Sequence, residues 1–112
     1  MSTARLNASV EAAALMRRVE AAGGFTAVLH KGDPERGAIL IVIRSRGAYI
    51  SCLERTLGPD GYAWAAAGPD SGSGEKVAPF LAKRTEFDPD LWLIELDIAQ
   101  PERFIAETIS AG

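Results

Sequence analysis

The sequence holds one histidine, His30, and one cysteine, Cys52. An imidazole titrates near neutrality and suits general-base or ligand-contact work. A Cys–His dyad needs the two side chains within hydrogen-bond reach. Structural zinc typically takes four Cys and His ligands, so one of each builds no zinc site, and no metal or cofactor is expected. Asp88 and Asp90 flank Pro89, but two carboxylates in one turn do not complete a hard-cation site. Their plain role is to end a helix and enter a strand. Gly32-Asp33-Pro34-Glu35-Arg36-Gly37 lacks the Gly-Lys-Ser/Thr ending and following helix of a phosphate loop. Tyr49, Tyr62 and Trp64 could stack on bases, yet no basic–aromatic interleaving accompanies them, so packing is their expected role. His30, Arg44 and Arg46 remain as a candidate ligand-binding rim.

His30 falls on a strand, and Arg44 and Arg46 fall in the connection between two strands. Ala38–Ile43 is apolar at every position and rich in β-branched side chains, which fits a strand buried on both faces. Phe25–Lys31 precedes it across the Gly32–Gly37 turn, and Ala48–Glu54 follows the Arg44–Gly47 connection. Pairing Lys31 with Ala38 and Arg44 with Ala48 gives the simplest antiparallel register. It places Ala27, Leu29, Leu40, Val42, Ile50 and Cys52 on one face. Thr26, Val28, His30, Ile39, Ile41, Ile43, Tyr49, Ser51 and Leu53 fall on the other. Cys52 and His30 then project from opposite faces, so Cys52 is expected as a buried small hydrophobe. His30 is expected at a strand end with a polar partner.

Asn7–Ala22 carries an apolar stripe of Ala8, Ala12, Leu15, Val19 and Ala22 at helical spacing, with Asn7 or Ser9 as N-cap and Gly23-Gly24 as stop. This helix is expected on the face of Leu29 and Leu40. Tyr62–Ala67 reads as a fourth strand. Glu75–Glu86 reads as a helix that starts near Lys76 to Ala78 because Pro79 is tolerated only in a first turn. Leu91–Ile98 is a strand, and Pro101–Ser110 a short helix with Phe104, Ile105 and Ile109 on its apolar side.

The chain is 47% hydrophobic, which fits one globular domain over 1–112. It lacks an apolar run of membrane-spanning length, and the opening MSTARLNAS has no signal-peptide apolar core, so a cytoplasmic location is expected. The net charge of −3 gives no general attraction to nucleic acid or membrane. Basic residues cluster early, at Arg17, Arg18, Lys31, Arg36, Arg44 and Arg46, while the later half is acid-rich. Either the halves complement each other on folding, or a basic patch forms.

Several blocks resemble a known family: Ala13-Ala14-Leu15-Met16-Arg17-Arg18-Val19, Ala21-Ala22-Gly23-Gly24-Phe25, Ala27-Val28-Leu29 with Lys31-Gly32, Gly37-Ala38, and Phe87-Asp88-Pro89-Asp90-Leu91-Trp92. Together, from Arg5 to about Leu96, they are similar to small bacterial proteins catalogued as domain of unknown function 1491. The resemblance implies a bacterial, cytoplasmic protein and carries over no functional residues. The tail Pro101–Ser110 is less typical of that pattern.

The fold expected is α+β. A mostly antiparallel sheet of four or five strands has helices mainly on one face, in the chain order α-β-β-β-β-α-β-α. No catalytic constellation is present, which points away from an enzyme. Two functions follow: a non-enzymatic interaction module, or a small-molecule or nucleotide-binding domain using His30, Arg44 and Arg46. If both longer helices share one face, Ile39, Ile41, Ile43, Tyr49 and Leu53 form an apolar interface on the other. Its cover is then the C-terminal helix in a monomer, or a second chain in a homodimer. The sequence names no protein partner.

Overall fold

The computed structural model describes residues 7–111. The elements are α1 (Ala8–Ala21), β1 (Phe25–His30), β2 (Ile39–Ser45), β3 (Ala48–Gly58), β4 (Gly61–Ala67), α2 (Val77–Phe87), β5 (Trp92–Asp97) and α3 (Pro101–Ala111). A single 3₁₀ turn, Gly74–Lys76, leads into α2. The fold is α+β, with the expected order of elements around one five-stranded sheet. Among the described residues, no helix is long and apolar enough to cross a membrane.

The sheet order is β1-β5-β2-β3-β4. Every neighbouring pair is antiparallel except β2 and β5. The expected pairing of β1 with β2 is therefore corrected: β5 lies between them. The reason is burial. Ile39–Ile43 is wholly buried and needs an apolar strand on either side, and Trp92-Leu93-Ile94 supplies one. The strand Phe25–His30, with Thr26, Ala27 and His30, suits an edge, where most of it is exposed.

The expected helix positions are corrected too. Ala8, Ala12, Leu15 and Val19 are buried as read from their spacing, but against Ile39, Ile41 and Ile43 rather than Leu40. Phe104 and Ile105 of α3 join that side. Val77, Phe80 and Leu81 of α2 pack on Leu40, Val42, Cys52 and Leu93 of the opposite face. The sheet thus lies between α1 with α3 and α2, so two of the three helices share a face, though not the two expected. Pure apolarity on both faces of β2 left the sequence without a preference.

Two bulges reassign single residues. Between Ile43 and Arg44 the register with β3 slips, so Arg44 pairs with Tyr49 and Ile50 is left over. Tyr49 therefore joins the α2 face with Cys52, and Ile50 packs on the α1 side. Between Val28 and His30 a second slip pairs His30 with Leu93, leaving Leu29 over. One extra residue turns the following side chain to the other face.

Asn7 caps α1, its side-chain oxygen accepting from the Val10 N–H at 3.0 Å. The loop between β1 and β2 then closes on the turn before β5. The Asp33 N–H donates to the Asp90 carbonyl at 2.9 Å, and the Trp92 indole N–H donates to the Asp33 carbonyl at 2.7 Å. Pro34 and Glu35 carbonyls accept from Ser9 and Ala8 N–H groups, fixing the start of α1. A Cβ at Gly32 or Gly37 would collide with the Asp90 backbone. The blocks Lys31-Gly32, Gly37-Ala38 and Phe87–Trp92 thus meet in one backbone seam.

Candidate functional site

The candidate rim residues do not converge. His30 stands level with Leu93, and Arg44 with Asp97, four residues further along β5 and one strand beyond it. Strand spacing and rise separate them by roughly 16 Å. The His30 Nδ1 lies 2.7 Å from the Leu91 carbonyl, the polar partner expected of a strand-end histidine. The Arg44 guanidinium is held by Glu95, Nε to Oε2 at 2.5 Å. Arg46 occupies a two-residue hairpin turn with Gly47, both at positive φ (53° and 82°). Their N–H groups donate to the two oxygens of Asp97, each at 2.9 Å. Arg44 and Arg46 therefore serve the sheet, Arg44 through its guanidinium and Arg46 through its backbone N–H.

His30 lies on the face of Cys52, not opposite it, because of the bulge at Leu29. That is a correction, yet no dyad results. Cys52 is on β3, three strands from β1, and roughly 14 Å away by strand spacing alone. Its sulfur is buried 3.5 Å from the Tyr49 hydroxyl, which donates to the Pro69 carbonyl at 2.5 Å. Burial pushes the Cys52 thiol pKa up and does the same for Tyr49. A thiol so placed is a packing group. Among the described residues, no three of His, Cys, Asp and Glu gather as a metal site. Asp88 Oδ1 instead accepts from the Asp90 N–H at 3.2 Å, a turn contact.

The apolar interface loses its premise. Ile39, Ile41, Ile43 and Leu53 are 0% exposed within the single chain, and Tyr49 is 9% exposed on the other face. The cover is mainly α1, with Phe104 and Ile105 of α3, while Ile109 points outward.

Exposed apolar groups gather elsewhere. On the outermost strand β1, Phe25 is 76% exposed, with Val28 and Leu29 also exposed. Among the described residues no strand pairs with the outer edge of β1. The sequence signal was the modest polarity of this strand, which suits an edge; treating it as the partner of β2 hid it.

At the other side of the sheet lies a cleft that sequence reading missed. Strand β3 runs on to Gly58 and pairs with β4 through Gly61, so Arg55 stands opposite Trp64 and beside Tyr62 on the α1 side. Arg55 is only 4% exposed. The continued alternation Leu53, Arg55, Leu57 before the Gly58–Gly61 turn was the available signal.

The family described as "Protein of unknown function (DUF1491)" matches residues 6–106. A crystal structure of a DUF1491 family protein from Caulobacter crescentus is 28% identical, with a TM-score of 0.72, over 82% of this chain and 87% of that one. An NMR structure of a DUF1491 family protein from the same organism is 26% identical, with a TM-score of 0.74, over 87% and 89%. A solution structure of a protein from A. tumefaciens is 32% identical, with a TM-score of 0.60, over 83% and 86%. No curated protein matches the chain.

Proposed function

This chain belongs to the DUF1491 family, and we propose that it is a non-enzymatic interaction module whose recognition element is the edge strand β1. The observation that carries this reading is the outer edge of β1, unpaired among the described residues, with Phe25, Val28 and Leu29 exposed along it. An unpaired strand is a template for another strand, and soluble proteins usually blunt such edges with charge or proline. From Phe25 to Val28 the strand carries neither. Main-chain hydrogen bonds would give affinity and the alternate side chains specificity.

The occupant proposed is a second copy. Two β1 strands meeting antiparallel about a two-fold axis bury the same patch on each chain, the geometry of isologous dimers. The bulge at Leu29 confines regular pairing to Phe25–Val28. A four-residue ribbon gives a weak, concentration-dependent dimer rather than an obligate one. The alternative, ligand binding at His30, Arg44 and Arg46, is not supported, because the three stand apart.

Sedimentation equilibrium over a concentration series tests this. A dimer that Phe25→Lys and Leu29→Lys each convert to monomer is the expected result. A monomer mass at every concentration, or a dimer untouched by both substitutions, overturns it.

A further inference from the structure

We propose that the cleft between α1, α3 and the β3–β4 ribbon binds a small planar organic oxyanion, a carboxylate or a phosphate monoester carried on an aromatic ring. The cleft, of about 520 Å³, is of the size that takes small ligands. It is a different site from the β1 edge and does not depend on it.

Three observations converge. The first is Arg55, whose side chain is 5% exposed and lines the cleft. Glu11 of α1 takes its Nη1 at 3.2 Å, but its Nε is buried with no hydrogen-bond partner among the described residues. A buried unpartnered donor costs free energy until an acceptor meets it. A guanidinium fork is matched by the two oxygens of a carboxylate or phosphate, and Glu11 leaves part of that fork unused. The second is the aromatic wall. Tyr62 stacks on Arg55, its ring centroid 4.0 Å from the guanidinium carbon, and Trp64 lines the cleft beside it. These flat faces fit a flat ligand. The third is a second cation. Arg18 lines the same cleft, its Nη2 3.3 Å from the hydroxyl of the buried Thr108.

Asp60 and Glu11 bring two negative charges against the two arginines. The cleft is thus not a general anion trap, and selectivity comes from geometry: the oxyanion end on the guanidinium groups, the ring on Tyr62 and Trp64. A second cleft, of about 410 Å³ between the ends of α1 and α3, shares Arg18 but contains no buried charged group.

The test is titration of the full chain with benzoate, phenyl phosphate, inorganic phosphate and neutral benzamide, followed by NMR. We expect saturable binding of benzoate or phenyl phosphate that moves the Trp64 indole and Thr108 amide signals. The Trp92 indole, held by the Asp33 carbonyl, should stay put. Affinity should fall about tenfold or more for benzamide and for inorganic phosphate, and likewise in Arg18→Gln and Tyr62→Leu, which leave the Arg55–Glu11 pair unsubstituted. Arg55→Lys should lose binding while its folded spectrum persists. If it unfolds, Arg18→Gln and Tyr62→Leu carry the test. Failure of both aromatic anions to saturate at millimolar concentration overturns the proposal. So does equal binding of benzamide, or inorganic phosphate binding as well as phenyl phosphate, which marks an adventitious ion only.

Discussion

Replacing Gly37 or Gly32 by alanine should be among the most damaging single-methyl changes available to this chain. A Cβ on Gly37 would enter the Asp90 carbonyl oxygen and come within 3.0 Å of both the Asp33 carbonyl and the Trp92 ring. On Gly32 it would meet the Asp90 carbonyl and the Leu91 backbone. None of these can swing aside like a side-chain end. The Asp90 carbonyl is fixed by the Asp33 N–H, and the Asp33 carbonyl by the Trp92 indole. Making room means parting the loop from the turn before β5. That costs about 1–3 kcal/mol for overpacking. The two hydrogen bonds add about 0.5–1.5 kcal/mol each, more if the indole N–H of Trp92, only 6% exposed, is left unpaired. A loss of about 3–5 kcal/mol is expected, a large share of the roughly 5–15 kcal/mol typical of a small domain.

Urea denaturation followed by tryptophan fluorescence measures this directly. Gly58→Ala is the control. Its Cβ meets only the Gly61 carbonyl, at 3.8 Å, and its backbone is not left-handed, so a change within about 0.5 kcal/mol is expected. If Gly32→Ala and Gly37→Ala both fall within about 1 kcal/mol of Gly58→Ala, the seam is pliable. The reasoning from close backbone approach would then be refuted.

Leu40→Ala, truncating a side chain sealed between the sheet and α2, should cost about 2–5 kcal/mol. Arg46→Ala should stay within about 0.5 kcal/mol, because both residues carry a Cβ in the same left-handed turn; denaturation ranks the two. Cys52 should resist thiol reagents in the native state and react on unfolding, since it is buried with its pKa raised by desolvation; rapid native labelling would contradict its placement. Asp33 accepts from the N–H groups of Arg36 and Glu35, which hold its pKa below the ordinary 3.8. A depressed carboxylate stabilises the fold above that ordinary value and ceases to as pH falls through the lowered one. The stability gap between the native chain and Asp33→Ala should therefore be constant near neutrality and close in strong acid.

The element types were legible because their patterns are strong. The stripe Ala8, Ala12, Leu15, Val19 has helical spacing, and in Ile39–Ile43 the β-branched side chains and short length decide for a strand over a buried helix segment. Strand order was not, because β1 and β5 both qualify as neighbours of β2 until burial is compared, and that comparison needs the sheet. The bulges were illegible for a sharper reason. No glycine or proline marks Leu29 or Ile50, yet each slip turns the next side chain over and moves His30 and Tyr49 to the α2 face. The candidate rim residues stand apart because of strand order: β5 lies between the strand of His30 and the hairpin of Arg44 and Arg46. Arg55 lies just beyond Ala48–Glu54, the stretch whose composition marks a strand, while β3 itself runs on to Gly58.

The sheet order places the two proposed surfaces at opposite margins. β1 is one edge and β4 the other, separated by four strand spacings, about 19 Å. Substitutions that far apart with no shared partners normally act independently. The path between them runs through β5, β2 and β3, whose inner residues are buried. Phe25→Lys should therefore abolish association and leave the affinity for phenyl phosphate unchanged. Tyr62→Leu should do the reverse. Both readouts on both variants and on the double variant form a complete cycle. A coupling beyond about 0.5 kcal/mol would contradict a rigid sheet. It would mean that α1, which reaches from Glu11 beside Arg55 to Glu20 against Thr26 of β1, moves as a lever between the two margins.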